Sequence, residues 1–564
     1  MRINLVGINA KYIHSNPAIY SLRAASGAYR EYIRIREFTI NQRCEEVRQS
    51  LYADKPDVLA FSCYIWNIQF IKALLPDLSR LLPDTDIYLG GPEVAYCARG
   101  VLDNNPAVKG VLTGEGEVSF AKLVSCYVDA KDAKKPAQEQ LTERLRTVPG
   151  IVTRTFANAQ AEPLDLAEIP FWYGEGGDGG LLPEFENRIL YYESSRGCPY
   201  HCSYCLSSID KSVRFRPLGM VKKELDFFLS HNVKQVKFID RTFNCNAKRA
   251  LEIWEYLRLK DNGVTNFHFE IAADILTEEE LECLGKMRPG QIQLEIGVQT
   301  TNPQTLREIH RTTDMERLKA NVARLRAFGN MHLHLDLIAG LPYEDKASFI
   351  RSFNEVYAMG GDDLQLGFLK VLHGSRMEEM RSSYGLIAEE NAPYEVLSTN
   401  WISYEDVIEL KRVEEMLSLY ANSGQYGNTL HALLACFETP YAFFEALARF
   451  YERRGYFLQT PARSRRYEVL LEFAAETEPS RIKHTEELLT LDFYLRENPK
   501  SRPSFAHGPL LPQARSALTH VEYFETFTNS NNTLGQYLRF DYTQRDPVTG
   551  NVKVTETDWP DDLK

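Results

Sequence analysis

The sequence predicts an α/β protein with a doubly wound parallel sheet, a partial βα barrel of about six strands, and a mainly helical C-terminal region with a β-hairpin tail. Three observations lead there. Short apolar runs alternate with helical patterns over residues 1–145. The same alternation returns over residues 188–375, while from 376 onward apolar positions recur at three and four residues. A chain of 564 residues is too long for one ordinary core, and several domains are expected.

The first part reads strand, helix, strand. Ile3–Val6, Ile33–Ile35, Val58–Phe61, Ile87–Leu89 and Val111–Leu112 have strand character. Between them Ala18–Tyr32, Arg43–Ala53, Ile68–Leu82 and Glu117–Tyr127 have helical spacing. In such sheets ligands bind at the carboxyl ends of the strands. Those ends carry Gly7, Ser62, Gly90-Gly91 and Gly114-Glu115-Gly116-Glu117, and glycine there lets backbone approach a bulky ligand. No G-x-G-x-x-G follows the first strand, which argues against a dinucleotide-binding domain.

Residues 146–187 read as a linker and possible lid. Val148–Thr155 is a small extended piece, and Ile169-Pro170-Phe171-Trp172-Tyr173 runs into a glycine-rich turn segment.

The third part opens on Ser195-Arg196-Gly197-Cys198-Pro199-Tyr200-His201-Cys202-Ser203-Tyr204-Cys205, directly after the apolar run Ile189–Tyr192. Three thiolates at C-x3-C-x2-C can grip three irons of a cubic cluster and leave the fourth iron open to a small molecule. The alternative is a zinc knuckle, which wants a closed set of four ligands that His201 would complete only awkwardly. Further strands follow at Val236–Asp240, His268–Ile271, Gln291–Thr300, His332–Ile338 and Leu364–Val371. In barrels of this kind functional residues gather at the carboxyl ends of the strands. Helices are expected at Tyr404–Tyr420, Thr429–Cys436, Tyr441–Tyr451 and His484–Arg496. Leu538–Thr543 and Asn551–Thr555 flank a turn with Pro547 and Gly550, a hairpin signal.

Composition bounds the setting. The chain is 44% apolar and 25% charged, as soluble globular proteins are, and no apolar run approaches the ~18 residues of a membrane span. The start enters a strand without a signal-peptide pattern, and outside the cluster motif the ten cysteines are scattered, so a reducing cytoplasm is expected. A net charge of −12 argues against a broadly basic nucleic-acid surface; local patches such as Arg463-Ser464-Arg465-Arg466 leave that partner open.

The cysteine stretch, with the aromatic Tyr204 before the last cysteine, resembles the radical S-adenosylmethionine (SAM) superfamily. The resemblance implies a 4Fe–4S cluster on Cys198, Cys202 and Cys205, with SAM chelating the free iron and being cleaved on reduction to a 5′-deoxyadenosyl radical. Motif by motif it implies that Asp240 lies near the SAM amino group, with Glu270 an acidic residue of the third strand and Glu295 and Gln299 on the fourth. Gly297–Thr300 would run beside the ribose, and Asp336–Pro342, with Gly340 and Pro342, beside the adenine. The glycine-rich motif of many relatives on the second strand is replaced by Phe238-Ile239-Asp240-Arg241.

The first part resembles the Rossmann-like (flavodoxin-like) cobalamin-binding domain that precedes the radical SAM domain in a large subclass, through Ser62, Gly90, Gly91, Gly114, Glu115 and Gly116. The D-x-H-x-x-G motif of mutases is absent, since the loop reads Asn9-Ala10-Lys11-Tyr12-Ile13-His14; the resemblance therefore implies cobalamin without a lower histidine ligand. A Leu166-Ala167-Glu168-Ile169-Pro170 linker is also consistent with it. The expected domains are thus 1–145 for cobalamin, 146–187 linker, 188–375 radical SAM barrel, and 376–564 a capping or substrate region. The expected activity is cobalamin-dependent methyl transfer to an unactivated carbon of an unidentified substrate, with an electron donor such as flavodoxin or ferredoxin as partner. Rearrangement, oxidation or sulfur insertion without methyl transfer are the enzymatic alternatives, and a zinc-stabilised scaffold the non-enzymatic one. For sulfur insertion further clustered cysteines would be expected, and the remaining seven are isolated.

Overall fold

The computed structural model describes residues 1–131, 137–177, 179–210, 212–506, 519–524 and 536–557. The chain divides into two compact units. One comprises Met1–Lys286, Arg307–Thr312 and Phe368–Asn400; the other comprises Met287–Leu306, Thr313–Gly367 and Trp401–Lys564.

In the first unit, β1 (Ile3–Asn9), β2 (Ile33–Thr39), β3 (Val58–Ser62), β4 (Asp86–Gly90), β5 (Val108–Leu112) and β6 (Ile151–Val152) form one sheet in the order β2-β1-β3-β4-β5-β6. The first five are parallel, and the order reverses at β1, the switch point where doubly wound sheets bind ligands. β6 was expected only as an extended piece of linker. It pairs antiparallel with β5 through Val111↔Val152 and Leu112↔Ile151. The register sets Gly7 beside Ser62, Ser62 beside Gly90, and Gly90 beside Leu112, so the small residues share one carboxyl edge. The helix Ile68–Leu81 covers the sheet with Ile68, Ile71, Leu74, Leu75 and Leu78, a spacing that keeps them on one face.

The same unit continues with β7 (Leu190–Tyr192), the two-residue strands β8 (Ser195–Arg196) and β9 (Arg214–Phe215), then β10 (Gln235–Phe238) and β11 (Asn266–Ile271). β10 is parallel to both β7 and β11. β8 and β9 form an antiparallel ladder, Ser195↔Phe215 and Arg196↔Arg214, that brackets the cysteine loop. After β11 the helix Glu278–Gly285 starts on a capping box in which Thr277 and Glu280 satisfy each other's backbone amides.

The second unit holds β12 (Ile292–Gln299), β13 (His332–Ala339) and β14 (Asp363–Phe368), in the order β14-β13-β12. β12 and β13 are parallel, with a register shift between Gly297 and Gln299. The helix Lys346–Met359 is capped by Asp345 and stopped by Gly360 in the left-handed conformation. Helices Tyr404–Met416, Gly427–Leu434, Pro440–Arg453, Arg465–Thr477 and Ile482–Arg496 follow. The tail hairpin is β18 (Gln536–Arg545) and β19 (Val552–Thr557), and a strand the sequence did not announce, β17 (Thr519–Phe524), pairs with β18. Leu538, Phe540 and Val552 pack on Leu491 and Tyr494 of the last helix. The short antiparallel pair β15 (Ile387–Ala388) and β16 (Val396–Ser398) belongs to the first unit. No described helix is long and apolar enough to cross a membrane.

Candidate functional site

The cysteine loop is fixed at its stem by carboxylates. Asp240, just beyond β10 and 1% exposed, accepts from Ser194 N (2.8 Å), Ser194 Oγ (2.7 Å) and Ser195 Oγ (2.6 Å). Burial raises its carboxyl to about 6 despite those three donors. Arg196 donates to Glu193 and to Glu117 of the N-terminal sheet domain at 2.7 and 2.8 Å. Arg216 is paired with Glu224, both almost fully buried, and Arg216 N bonds Ser194 O at 2.9 Å. Gly197 has φ +98°, and a Cβ there would lie 1.9 Å from Ser212 O, so only glycine closes the loop.

Within the loop Cys198 and Cys202 are buried and Cys205 is half-buried. Cys205 N bonds Cys202 O at 3.1 Å, Ser203 N bonds Ile309 O at 2.9 Å, and Met377 N bonds Ser203 O at 2.9 Å. Arg311 NH1 lies 3.8 Å from Cys202 Sγ, and Cys198 Sγ lies 3.7 Å from Thr242 Oγ1. Burial pushes the Cys202 thiol up, and the nearby Arg311 guanidinium offsets part of that rise. Among the described residues no three His, Cys, Asp or Glu side chains converge as one bound metal ion requires, and His201 is exposed. A cubic cluster distributes its thiolates over separate irons and does not require that convergence. Tyr204 is packed beside Cys202 and Cys205, and burial raises its phenol.

The residues expected around SAM fall in both units. Tyr204, Asp240 and Glu270 of β11 belong to the first; Glu295, Gln299, Gly340 and Pro342 belong to the second. Asp240 is turned to Ser194 and Ser195, so it acts as a brace of the loop stem. Gln299 ends β12 with φ +73°, a conformation β-strand residues rarely hold, and its buried Oε1 has no hydrogen-bond partner among the described residues. A buried acceptor without a donor fits a hydroxyl- or amine-bearing ligand such as SAM. Beyond it Thr300 donates to Glu344 at 2.6 Å and Ser352 donates to the same oxygen at 3.0 Å. This fixes the loop of Gly340 and Pro342. Burial raises the Glu344 carboxyl to about 7. On β13 His334 faces Asp336 at 3.1 Å and stands beside Glu295 of β12.

The residues expected around cobalamin line two joined cavities of the first unit, about 810 and 130 Å³. Ser62, Gly90 and Gly116 line the smaller, Glu115 the larger, and Gly91 and Gly114 both. Arg196 and Gly197 of the cysteine-loop stem line the larger one too. The glycines form a cradle that side chains would spoil. A Cβ on Gly91 (φ +108°) would meet Cys63 O at 2.5 Å, and one on Gly116 would meet Leu22 Cδ2 at 2.7 Å. These two glycines are therefore required by close packing on Cys63 and Leu22, and together with the small Ser62 and Gly90 they leave the carboxyl edge of the sheet open to a flat, bulky ring system. Glu115, while lining the larger cavity, also pairs with Arg214 and accepts from Leu164 N at 3.1 Å. His14 bonds Tyr191 Oη at 2.7 Å and lines neither cavity. Phe171, Trp172 and Tyr173 of the expected linker form part of the wall, with Trp172 stacked on Tyr20 at 4.8 Å.

The family model for the B12 binding domain matches residues 3–124, and that for the radical SAM superfamily matches residues 192–356. The chain thus carries a region matching the radical SAM superfamily after an N-terminal region matching a B12 binding domain. That pairing brings a 4Fe–4S cluster, SAM and cobalamin to the chain as its cofactors. Residues 382–548 match a protein family of unknown function, DUF4080. The cobalamin-dependent radical SAM methyltransferase TokK of Streptomyces tokunonensis is 25% identical over 59% of this chain and 50% of its own. An uncharacterized methyltransferase of Pyrococcus horikoshii is 22% identical over 59% and 69%. The anaerobic magnesium-protoporphyrin IX monomethyl ester cyclase of Rubrivivax gelatinosus is 24% identical over 60% of each chain. The radical SAM chain thus spans about half the length of several curated relatives it matches. The structure of OxsB with aqua-cobalamin and SAM bound shares its fold, with a TM-score of 0.56 and 15% identity over 87% of this chain and 79% of that one. TsrM from Kitasatospora setae, with cobalamin and a [4Fe-4S] cluster bound, does so with a TM-score of 0.54 and 14% identity over 70% and 79%.

Sequence reasoning assigned no role to Arg196, Arg214 or Arg311, and it named Glu117 only as the end of the Gly114–Glu117 stretch at the sheet edge. Arg196 stood inside the motif stretch, but its partner Glu117 is 79 residues away, and only the fold brings them together.

Proposed function

We propose that this radical SAM protein is a cobalamin-dependent methyltransferase acting on an unactivated carbon. The observation that carries the reading is the shared cavity. Gly91 and Gly114 of the B12 domain and Arg196-Gly197 at the root of the cysteine loop face one space of about 810 Å³. When bound, the cluster with SAM supplies hydrogen abstraction and cobalamin supplies the methyl group. A corrin in that space would stand at the stem of the cluster loop, which lowers the entropic cost of bringing reactants together. Cys198, Cys202 and Cys205 are the residues to hold the cluster. The motif resemblance names Glu270 in the first unit and Glu295, Gln299, Gly340 and Pro342 in the second as candidates for SAM, and Tyr204 packs beside Cys202 and Cys205. Ser62, Gly90, Gly91, Gly114 and Gly116 are the residues to cradle the corrin. Aromatic walls from Phe171, Trp172 and Tyr173 exclude water around reactive species.

The region from 376 onward, matched by the family of unknown function, is the candidate for shaping a substrate pocket. Flavodoxin or ferredoxin is the class of electron donor the chemistry calls for. The likeness to the ester cyclase keeps oxidation or ring formation as the second reading. Methyl-labelled SAM, incubated under reducing conditions with enzyme and an extract of a strain lacking it, separates the two. A labelled product supports transfer; 5′-deoxyadenosine formed without any labelled product supports the second reading.

A further inference from the structure

The loop Gly114-Glu115-Gly116-Glu117 joins two features of the first unit. Its glycines line the corrin cradle, and its glutamates, which line the cavities as well, reach the stem of the cysteine loop. Glu117, buried at the start of the helix Gly116–Lys131, accepts from Arg196 NH2 at 2.8 Å and from Ser21 Oγ at 3.2 Å. Burial alone would raise its carboxyl, but the Arg196 guanidinium reverses that and holds it below the usual range. Glu115 pairs with Arg214 and lies 3.4 Å from Arg196. Arg214 also donates to Leu164 O at 2.6 Å and faces Asp210 at 3.4 Å. Arg196 and Arg214 are cross-strand partners in the β8–β9 ladder that brackets the cysteine loop. Any ligand that shifts the Gly114–Gly116 backbone therefore shifts the counter-charges of both arginines.

We propose that Glu115 and Glu117 are positioning residues that couple the corrin cradle to the cluster loop, so that cobalamin and SAM bind cooperatively. The inference rests on the reading above. Its test uses the full chain with its cluster reconstituted anaerobically and no reductant, so that SAM binds without being cleaved. Hydroxocobalamin is titrated by absorbance with and without saturating SAM. The expected result is a shift in cobalamin affinity of at least about fivefold on adding SAM, with the same factor when SAM is titrated against cobalamin, as linkage requires. In Glu117→Gln the factor falls to within twofold of one, and Glu117→Asp restores part of it. If Glu117→Gln does not retain its cluster, Glu115→Gln reads out the Arg214 rung in the same way. Wild-type coupling in both Gln variants, or no coupling in the wild type that binds both ligands, overturns the inference. A wild-type chain that binds no cobalamin overturns the B12 reading itself.

Discussion

Replacing Glu224 by leucine strands a cation inside the stem of the cysteine loop. Arg216 and Glu224 are 5% and 6% exposed. Arg216 Nε donates to the two carboxylate oxygens at 3.0 and 2.8 Å, its NH2 donates to one of them at 2.5 Å, and Tyr192 Oη adds a further bond at 2.6 Å. Arg216 also donates to Ile169 O at 2.9 Å, tying the cavity wall to the stem. Without Glu224 the guanidinium stays buried with no counter-charge, which costs about 3–5 kcal/mol. Measured against a domain stability of about 5–15 kcal/mol, that is a large fraction. With a urea m-value of about 3 kcal/mol per M, the midpoint of the affected transition falls by about 1–1.7 M. The double variant Arg216→Met with Glu224→Leu removes both charges and recovers most of the loss, because well-packed apolar replacements of buried pairs are close to neutral. The assay is urea unfolding of the metal-free chain followed by circular dichroism, with iron retention of the reconstituted protein as a second readout. A single variant within about 0.3 M of wild type, or a double variant no better than the single, would refute the assignment of this pair as a buried brace.

Two further outcomes follow from single positions. Gly91→Ala puts a methyl group 2.5 Å from Cys63 O at a positive φ, so the chain should lose retained corrinoid while keeping its iron; corrinoid retained at the wild-type level would contradict the cradle. Asp240 holds its proton up to about pH 6 in the fold, against 3.8 ordinarily, so its contribution to stability is complete below pH 3.8 and is lost as pH rises through 6. That shift corresponds to about 3 kcal/mol, and Asp240→Asn should remove this part of the pH dependence between 4 and 6 in urea midpoints. An unchanged profile would show that Asp240 is not buried as described.

Local pattern made much of this legible from the chain alone. The cysteine spacing and the small residues Ser62, Gly90, Gly91, Gly114 and Gly116 are local signals, and parallel register turns the latter into one edge. What remained hidden depends on distant partners. β6 is two residues long and exists because Val111 and Leu112 offer it an edge to pair with. Asp240 has the look of a ligand at a strand end, yet the donors it meets are Ser194 and Ser195 of its own loop stem. The arginine latch joins residues 79 and 99 positions apart, and no periodicity announces it. Gln299 was read from its motif, but its left-handed backbone and unpartnered oxygen are visible only in the fold.

The account turns on what the three thiolates hold. Wild-type protein and the triple Cys198→Ala, Cys202→Ala, Cys205→Ala variant, purified anaerobically, are assayed for iron, sulfide and zinc, and for 5′-deoxyadenosine formed from SAM under reductant. The wild type should carry about four irons and four sulfides and cleave SAM, and the variant should do neither. Zinc without sulfide in the wild type, or SAM cleavage surviving in the variant, would contradict the account.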